Sequence, residues 1–108
     1  MSKELTGQVA IVTGAGRLRG IGRAAAVRLA EMGADVVITG TGRNPEAFPD
    51  DEKAIGWRDI ESVADQVREL GQRALPLVVD VSSSDEVDKM VADTISEFGR
   101  IDILINNA

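Results

Sequence analysis

An α/β fold on a doubly wound parallel sheet is predicted for these 108 residues by three observations. Apolar runs recur at intervals of about thirty residues, helical patterns lie between them, and a glycine-rich turn joins the first run to the first helix. At this length the chain suits one domain. Two Phe, one Trp and no Tyr leave the interior to Val, Ile, Leu and Ala, which suits parallel strands covered by helices.

The first strand is read from Val9 to Thr13. After the turn, Ile21 to Met32 has helical periodicity, with Ala24, Ala25, Leu29 and Met32 on one side and Gly33 as the stop. Val36 to Thr39 is the second strand. From Gly40 to Gly56, Pro45, Pro49, several glycines and the acidic run Asp50, Asp51 and Glu52 indicate a loop outside the core, long for such a connection. Arg58 to Leu70 follows as a helix, with Ile60, Val63, Ala64, Val67 and Leu70 at helical spacing and Gly71 closing it. Leu75 to Val79 is the third strand, and Pro76 places it at an edge. Ser83 and Glu86 form a capping-box pattern, in which hydroxyl and carboxylate satisfy backbone donors reciprocally. Val87, Met90, Val91, Thr94, Ile95 and Phe98 continue that third helix to Gly99. Ile101 to Ile105 is the fourth strand, so four strands and three helices are expected.

Several functions are disfavoured by composition. A net charge of -6 opposes a nucleic-acid partner, because phosphate binders carry a basic face. With no Cys and no His, disulfides, thiolate nucleophiles, thiolate metal sites and imidazole ligands are excluded, and no metal site is expected. No run approaches a membrane span or a secretory core, so a cytoplasmic protein without a membrane partner is expected.

The segment Thr13-Gly14-Ala15-Gly16-Arg17-Leu18-Arg19-Gly20-Ile21-Gly22 lies between a strand and a helix. That context gives a glycine-rich match its meaning. Helix N-termini leave N–H groups unpaired and carry partial positive charge, and glycine lets backbone approach a pyrophosphate. Gly22 would also let the helix pack close to the sheet. An ordinary tight turn is the competing reading.

Where a Rossmann-type unit that binds NAD offers an acid to the adenosine ribose, the second strand ends in Gly40-Thr41-Gly42-Arg43. Thr41 and Arg43, with Arg17 or Arg19 from the loop, could bind a 2′-phosphate, since guanidinium suits bidentate phosphate contacts. NADP is therefore favoured over NAD, and Gly40→Asp is expected to shift the preference back. Arginines solvated in loops are the alternative.

Together these residues resemble the short-chain dehydrogenase/reductase family, in particular the branch that includes 3-oxoacyl-carrier-protein reductases. Thr13-Gly14 through Gly20-Ile21-Gly22 looks like its cofactor loop and Asp80-Val81 like its adenine-contacting pair. Asp102-Ile103-Leu104-Ile105 resembles its fourth strand, and Asn106-Asn107-Ala108 is similar to the start of its Asn-Asn-Ala-Gly motif. The resemblance implies that Gly14, Gly20, Ile21 and Gly22 line the cofactor phosphates and that Thr41 lies by the ribose phosphate. It implies that Asp80 bonds the adenine amino group beside Val81, and that Asn107 lies near the nicotinamide-side ribose through its backbone. A homo-oligomer acting on a small carbonyl or alcohol substrate is implied too.

Two features depart from the family pattern. Gly14 and Gly20 enclose five residues rather than three, and the segment around Pro45 to Trp57 exceeds the usual connection. The family's catalytic Ser, Tyr and Lys lie beyond Ala108, so no catalytic residue is assigned. The 108 residues alone are expected to be inactive and, with an open edge at Ile101 to Ile105, to associate with other chains. A dinucleotide-binding module without activity is the first rival. A methyltransferase using S-adenosylmethionine is the second, disfavoured by Gly40 and Thr41.

Overall fold

Strand β1 (Val9–Val12) is buried at every position, as a strand covered on both faces must be. The computed structural model describes residues 4–107. Met1 to Lys3, and Ala108 of the Asn-Asn-Ala match, lie outside the described residues. β1 sits between β2 (Asp35–Gly40) and β4 (Ile103–Ile105), while β3 (Ala74–Val78) pairs with the outer side of β2. The order β3-β2-β1-β4 is parallel throughout, a partial Rossmann-type sheet as expected. Pro76 falls on β3, an edge strand among the described residues, where its missing N–H costs the ladder least.

The strands are joined through α1 (Ile21–Glu31), α2 (Asp50–Ala54), α3 (Ile60–Glu69) and α4 (Ser84–Phe98). Successive strand side chains face opposite ways, which sorts the core into two layers. Val12, Val36 and Ile38 pack with Ala26, Ala30, Val63 and Val67 on the α1 and α3 side. Val9, Ile11 and Val37 pack with Val79 and Met90 on the α4 side.

The stripe that α1 buries is Gly22, Ala26 and Ala30, not the Ala24, Ala25, Leu29 and Met32 side expected from periodicity. The smallest residues lie against the sheet and let the helix approach closely, while Ala25 and Leu29 flank the contact. α3 buries Ile60, Val63, Ala64 and Val67 as expected. α4 buries only Met90 and Thr94, and Val91, Ile95 and Leu104 of β4 are exposed. The hydroxyl of Ser83 accepts the Glu86 N–H at 3.3 Å, but the capping box is not reciprocal. The Glu86 carboxylate accepts from Asp80 N–H at 2.9 Å, and Ser83 N–H donates to the Asp80 carbonyl.

The segment from Gly40 to Gly56 is folded, which corrects the expectation of a loop outside the core. A 3₁₀ turn (Pro45–Ala47), capped by Asn44, leads into α2, and Phe48, Glu52 and Trp57 are buried. Both aromatic rings join the cluster around Ile60 and Val63. Two elements of three and five residues are too short for periodicity to reveal.

At the opposite end of the sheet, Asp102 accepts Val9 N–H at 2.8 Å and returns its own N–H to the Val9 carbonyl. Arg100 grips the same carboxylate with two bonds. That guanidinium first, and the Val9 N–H second, hold the Asp102 carboxyl below its usual pKa.

Candidate functional site

β1 runs out at Val12, and the backbone turns through Gly14, in the left-handed region at φ 63°, toward the start of α1. Gly20 precedes α1 in an extended conformation without a side-chain cap, and no acid occupies the first turn. The first N–H groups of the helix are thus left to a ligand, with the positive end of its dipole behind them. A Cβ on Gly22 would lie 2.7 Å from the Gly14 carbonyl oxygen and 2.9 Å from Ala15 Cα, so glycine is required for helix and loop to meet.

Thr13 ties this loop to the end of β4. Its N–H donates to the Ile105 carbonyl at 3.0 Å, and its hydroxyl accepts Asn107 N–H at 3.0 Å while lying 3.1 Å from Asn106 Oδ1. The Asn107 amide donates to the Gly14 carbonyl at 3.1 Å. Its backbone N–H and its side-chain amide thus fix Asn107 against the glycine loop.

A cleft of about 460 Å³ opens at this end of the sheet. Of the residues singled out from sequence, Gly14, Arg17, Gly20, Thr41, Arg43, Val81 and Asn107 line it. Gly22 is buried beneath the loop and Ile21 is exposed at the start of α1. Asp80 adjoins Val81, and its carboxylate accepts from the Ser82 hydroxyl at 2.6 Å and the Ser82 N–H at 2.9 Å, which in that order hold its pKa below the usual value. Arg19 does not line the cleft and pairs instead with Asp51, whose pKa it lowers.

The lengthened glycine loop and the long segment after β2 form one interlocked unit. Leu18 N–H donates to Glu52 Oε2 at 2.9 Å, and the Trp57 indole N–H donates to the Gly16 carbonyl at 2.7 Å. Arg43 donates to Asp59 Oδ1 through Nε at 3.0 Å and Nη2 at 2.6 Å, and Nη2 lies 3.1 Å from Glu52 Oε1. The same guanidinium stacks 4.4 Å above the Phe48 ring.

Two expectations change here. Arg43 reaches the cleft, but its guanidinium is already held by two carboxylates. The end of β2 is not without an acid either, because Asp59 lines the cleft from the start of α3. Sequence reasoning missed Asp59; Gly16 and Gly40, noted in the glycine-rich segment and at the end of the second strand, line the cleft as well. Asp59 is 19 residues beyond Gly40 along the chain, so no spacing rule pointed to it.

A second cavity, about 530 Å³, lies among Phe48, Lys53, Trp57, Ile60 and Val78, with Arg43 and Asp59 forming a wall common to both. It is larger but does not reach the glycine loop or the start of α1, so it lacks the backbone donors of the first.

The family model described as short chain dehydrogenase matches residues 8–108. A 12alpha-hydroxysteroid dehydrogenase from Clostridium sp. is 43% identical over 106 residues, an alignment that takes in 94% of this chain and 36% of that protein. A short chain dehydrogenase from Mycobacterium thermoresistibile superposes with a TM-score of 0.80 at 35% identity, covering 96% of this chain and 34% of that one. A short chain dehydrogenase from Mycobacterium paratuberculosis, bound to NAD, superposes with a TM-score of 0.74 at 36% identity, covering 97% and 38%. The chain thus spans little more than a third of the length of these proteins.

Proposed function

The chain belongs to the short chain dehydrogenase family, and we propose that it binds and orients a nicotinamide dinucleotide for hydride exchange with a small carbonyl or alcohol substrate. The observation that carries this is the uncapped start of α1 facing a glycine-lined cleft at the carboxyl ends of β1 and β2. A pyrophosphate fits a wall where Cβ atoms are absent and N–H groups lack partners. The N–H groups at the start of α1, with Gly14 and Gly20, would hold it. Val81 would flank the adenine, Asp80 would accept from its amino group, and the Asn107 carbonyl would face the far ribose. When bound, such a cofactor supplies the hydride.

The protein's own contribution in this region is positioning, since orientation of the reacting carbon is what a rigid cradle provides. None of the residues lining the cleft is placed as an acid or base for a substrate oxygen, so in this reading these residues alone hold cofactor without turnover. The NADP preference expected from sequence relied on Thr41 and Arg43, aided by Arg17 or Arg19. With Arg43 and Arg19 engaged by carboxylates, Thr41 and Arg17 are left, and the geometry supports a dinucleotide without the extra phosphate better.

Calorimetric titration of the protein with NAD, NADP and S-adenosylmethionine tests the reading. Saturable binding of a dinucleotide and none of S-adenosylmethionine is expected. Binding of S-adenosylmethionine alone would assign the cleft to the methyltransferase alternative.

A further inference from the structure

Resting on the reading of this cleft as a dinucleotide site, we infer that Asp59 selects the cofactor, accepting the adenosine ribose hydroxyls and favouring NAD over NADP. An acid at the end of β2 is the usual device for that choice, and here it has no room. A Cβ on Gly40 would lie 2.8 Å from Ile60 Cγ2 and 3.5 Å from Asp59 Oδ2. The first turn of α3 fills the space into which a side chain at position 40 would project and delivers a carboxylate there. This also corrects the expectation for Gly40→Asp, which would collide with Ile60.

The Asp59 side chain is built into the site and not left in solvent. It is 11% exposed, and a Cβ on Gly16 would overlap its carboxylate, so it lies flush against the glycine loop. Asp is among the best residues for capping a helix start. Yet Asp59 makes no side-chain cap to α3, and its backbone sits at φ 58° and ψ -130°, a conformation rare outside glycine. The side chain is turned from its own helix toward the cleft.

Charge points the same way. Two carboxylates, Asp59 and Glu52, share the single guanidinium of Arg43. A 2′-phosphate placed here would face both carboxylates with only Arg17 of the cleft's guanidiniums left to it, whereas ribose hydroxyls would meet an acceptor. Both Arg43 bonds end on Oδ1, which leaves Oδ2, beside Gly40, for a hydroxyl donor.

The test is titration of NAD and NADP into the protein and into Asp59→Asn, with circular dichroism to verify the fold. Asn tolerates positive φ and keeps an oxygen for Arg43. The unaltered protein is expected to bind NAD at least about tenfold more tightly than NADP, and Asp59→Asn to reduce that ratio by about tenfold. A preference for NADP, or a ratio unmoved by Asp59→Asn, would overturn the inference. Arg43→Gln provides a second arm: it should not weaken NADP relative to NAD, and a selective loss of NADP would show that Arg43 is the phosphate ligand after all. Binding of neither dinucleotide would defeat the proposed function and the inference together, while binding of both without NAD preference defeats the inference alone.

Discussion

Replacing Trp57 with Ala is expected to destabilise the protein by about 3–5 kcal/mol, the usual range for truncating a buried Trp. The ring is 8% exposed and packs in the cluster with Phe48, Ile60 and Val63. Its indole N–H holds the Gly16 carbonyl, so the glycine loop should loosen and dinucleotide affinity should fall along with stability. Against a typical total of roughly 5–15 kcal/mol the loss is severe. Trp57→Phe keeps most of the volume and leaves the carbonyl unpaired, for which about 1–2 kcal/mol is expected. Urea unfolding of the two variants checks both figures. A cost below about 1 kcal/mol for Trp57→Ala, outside the range usual for a buried ring, would mean that the segment after β2 is a surface loop.

Gly22→Val is expected to abolish measurable dinucleotide binding. The atoms that its Cβ would meet, the Gly14 carbonyl oxygen and Ala15 Cα, are backbone and cannot rotate away. The loop must move off α1, at a cost of about 1–3 kcal/mol for overpacking, and the phosphate cradle moves with it. Ala24→Val on the exposed side of the same helix is the control and should leave binding intact. Calorimetry on the two variants separates a local clash from a general loss of helix propensity.

What could be read from sequence follows from how each feature is encoded. The sheet is encoded locally: β1 is a continuous aliphatic run, β2 centres on Val36, Val37 and Ile38, and glycines end the intervening helices at Gly33, Gly71 and Gly99, each at positive φ. The phosphate cradle is local too, because strand, glycine loop and helix are contiguous. The buried face of α1 is not legible from periodicity, because side-chain size, not hydrophobicity, decides which face meets the sheet at Gly22, Ala26 and Ala30. The folded segment after β2 was illegible for another reason. Its burial depends on Phe48 and Trp57 meeting the α1 and α3 layer, and on Glu52, Trp57 and Asp59 meeting a loop more than thirty residues earlier. Asp59 falls inside the helix read from Arg58 to Leu70, and only its turned-out backbone just before α3 sets its carboxylate apart.

The two departures from the family pattern also explain one another. The extra residues between Gly14 and Gly20 place Leu18 N–H on Glu52 and Arg19 on Asp51. The added segment supplies those acids and the indole that holds Gly16.

Under the proposed function, a nicotinamide dinucleotide lies between the glycine loop, the start of α1 and the end of β4. Backbone amide chemical shifts of isotopically labelled protein, followed during titration with NAD, test it most directly. The largest changes are predicted at Gly14, Gly16, Ile21, Gly22 and Asn107, with Thr41 and Asp59 marking the ribose end. Changes confined to Phe48, Lys53, Trp57 and Glu61, around the larger neighbouring cavity, would contradict it.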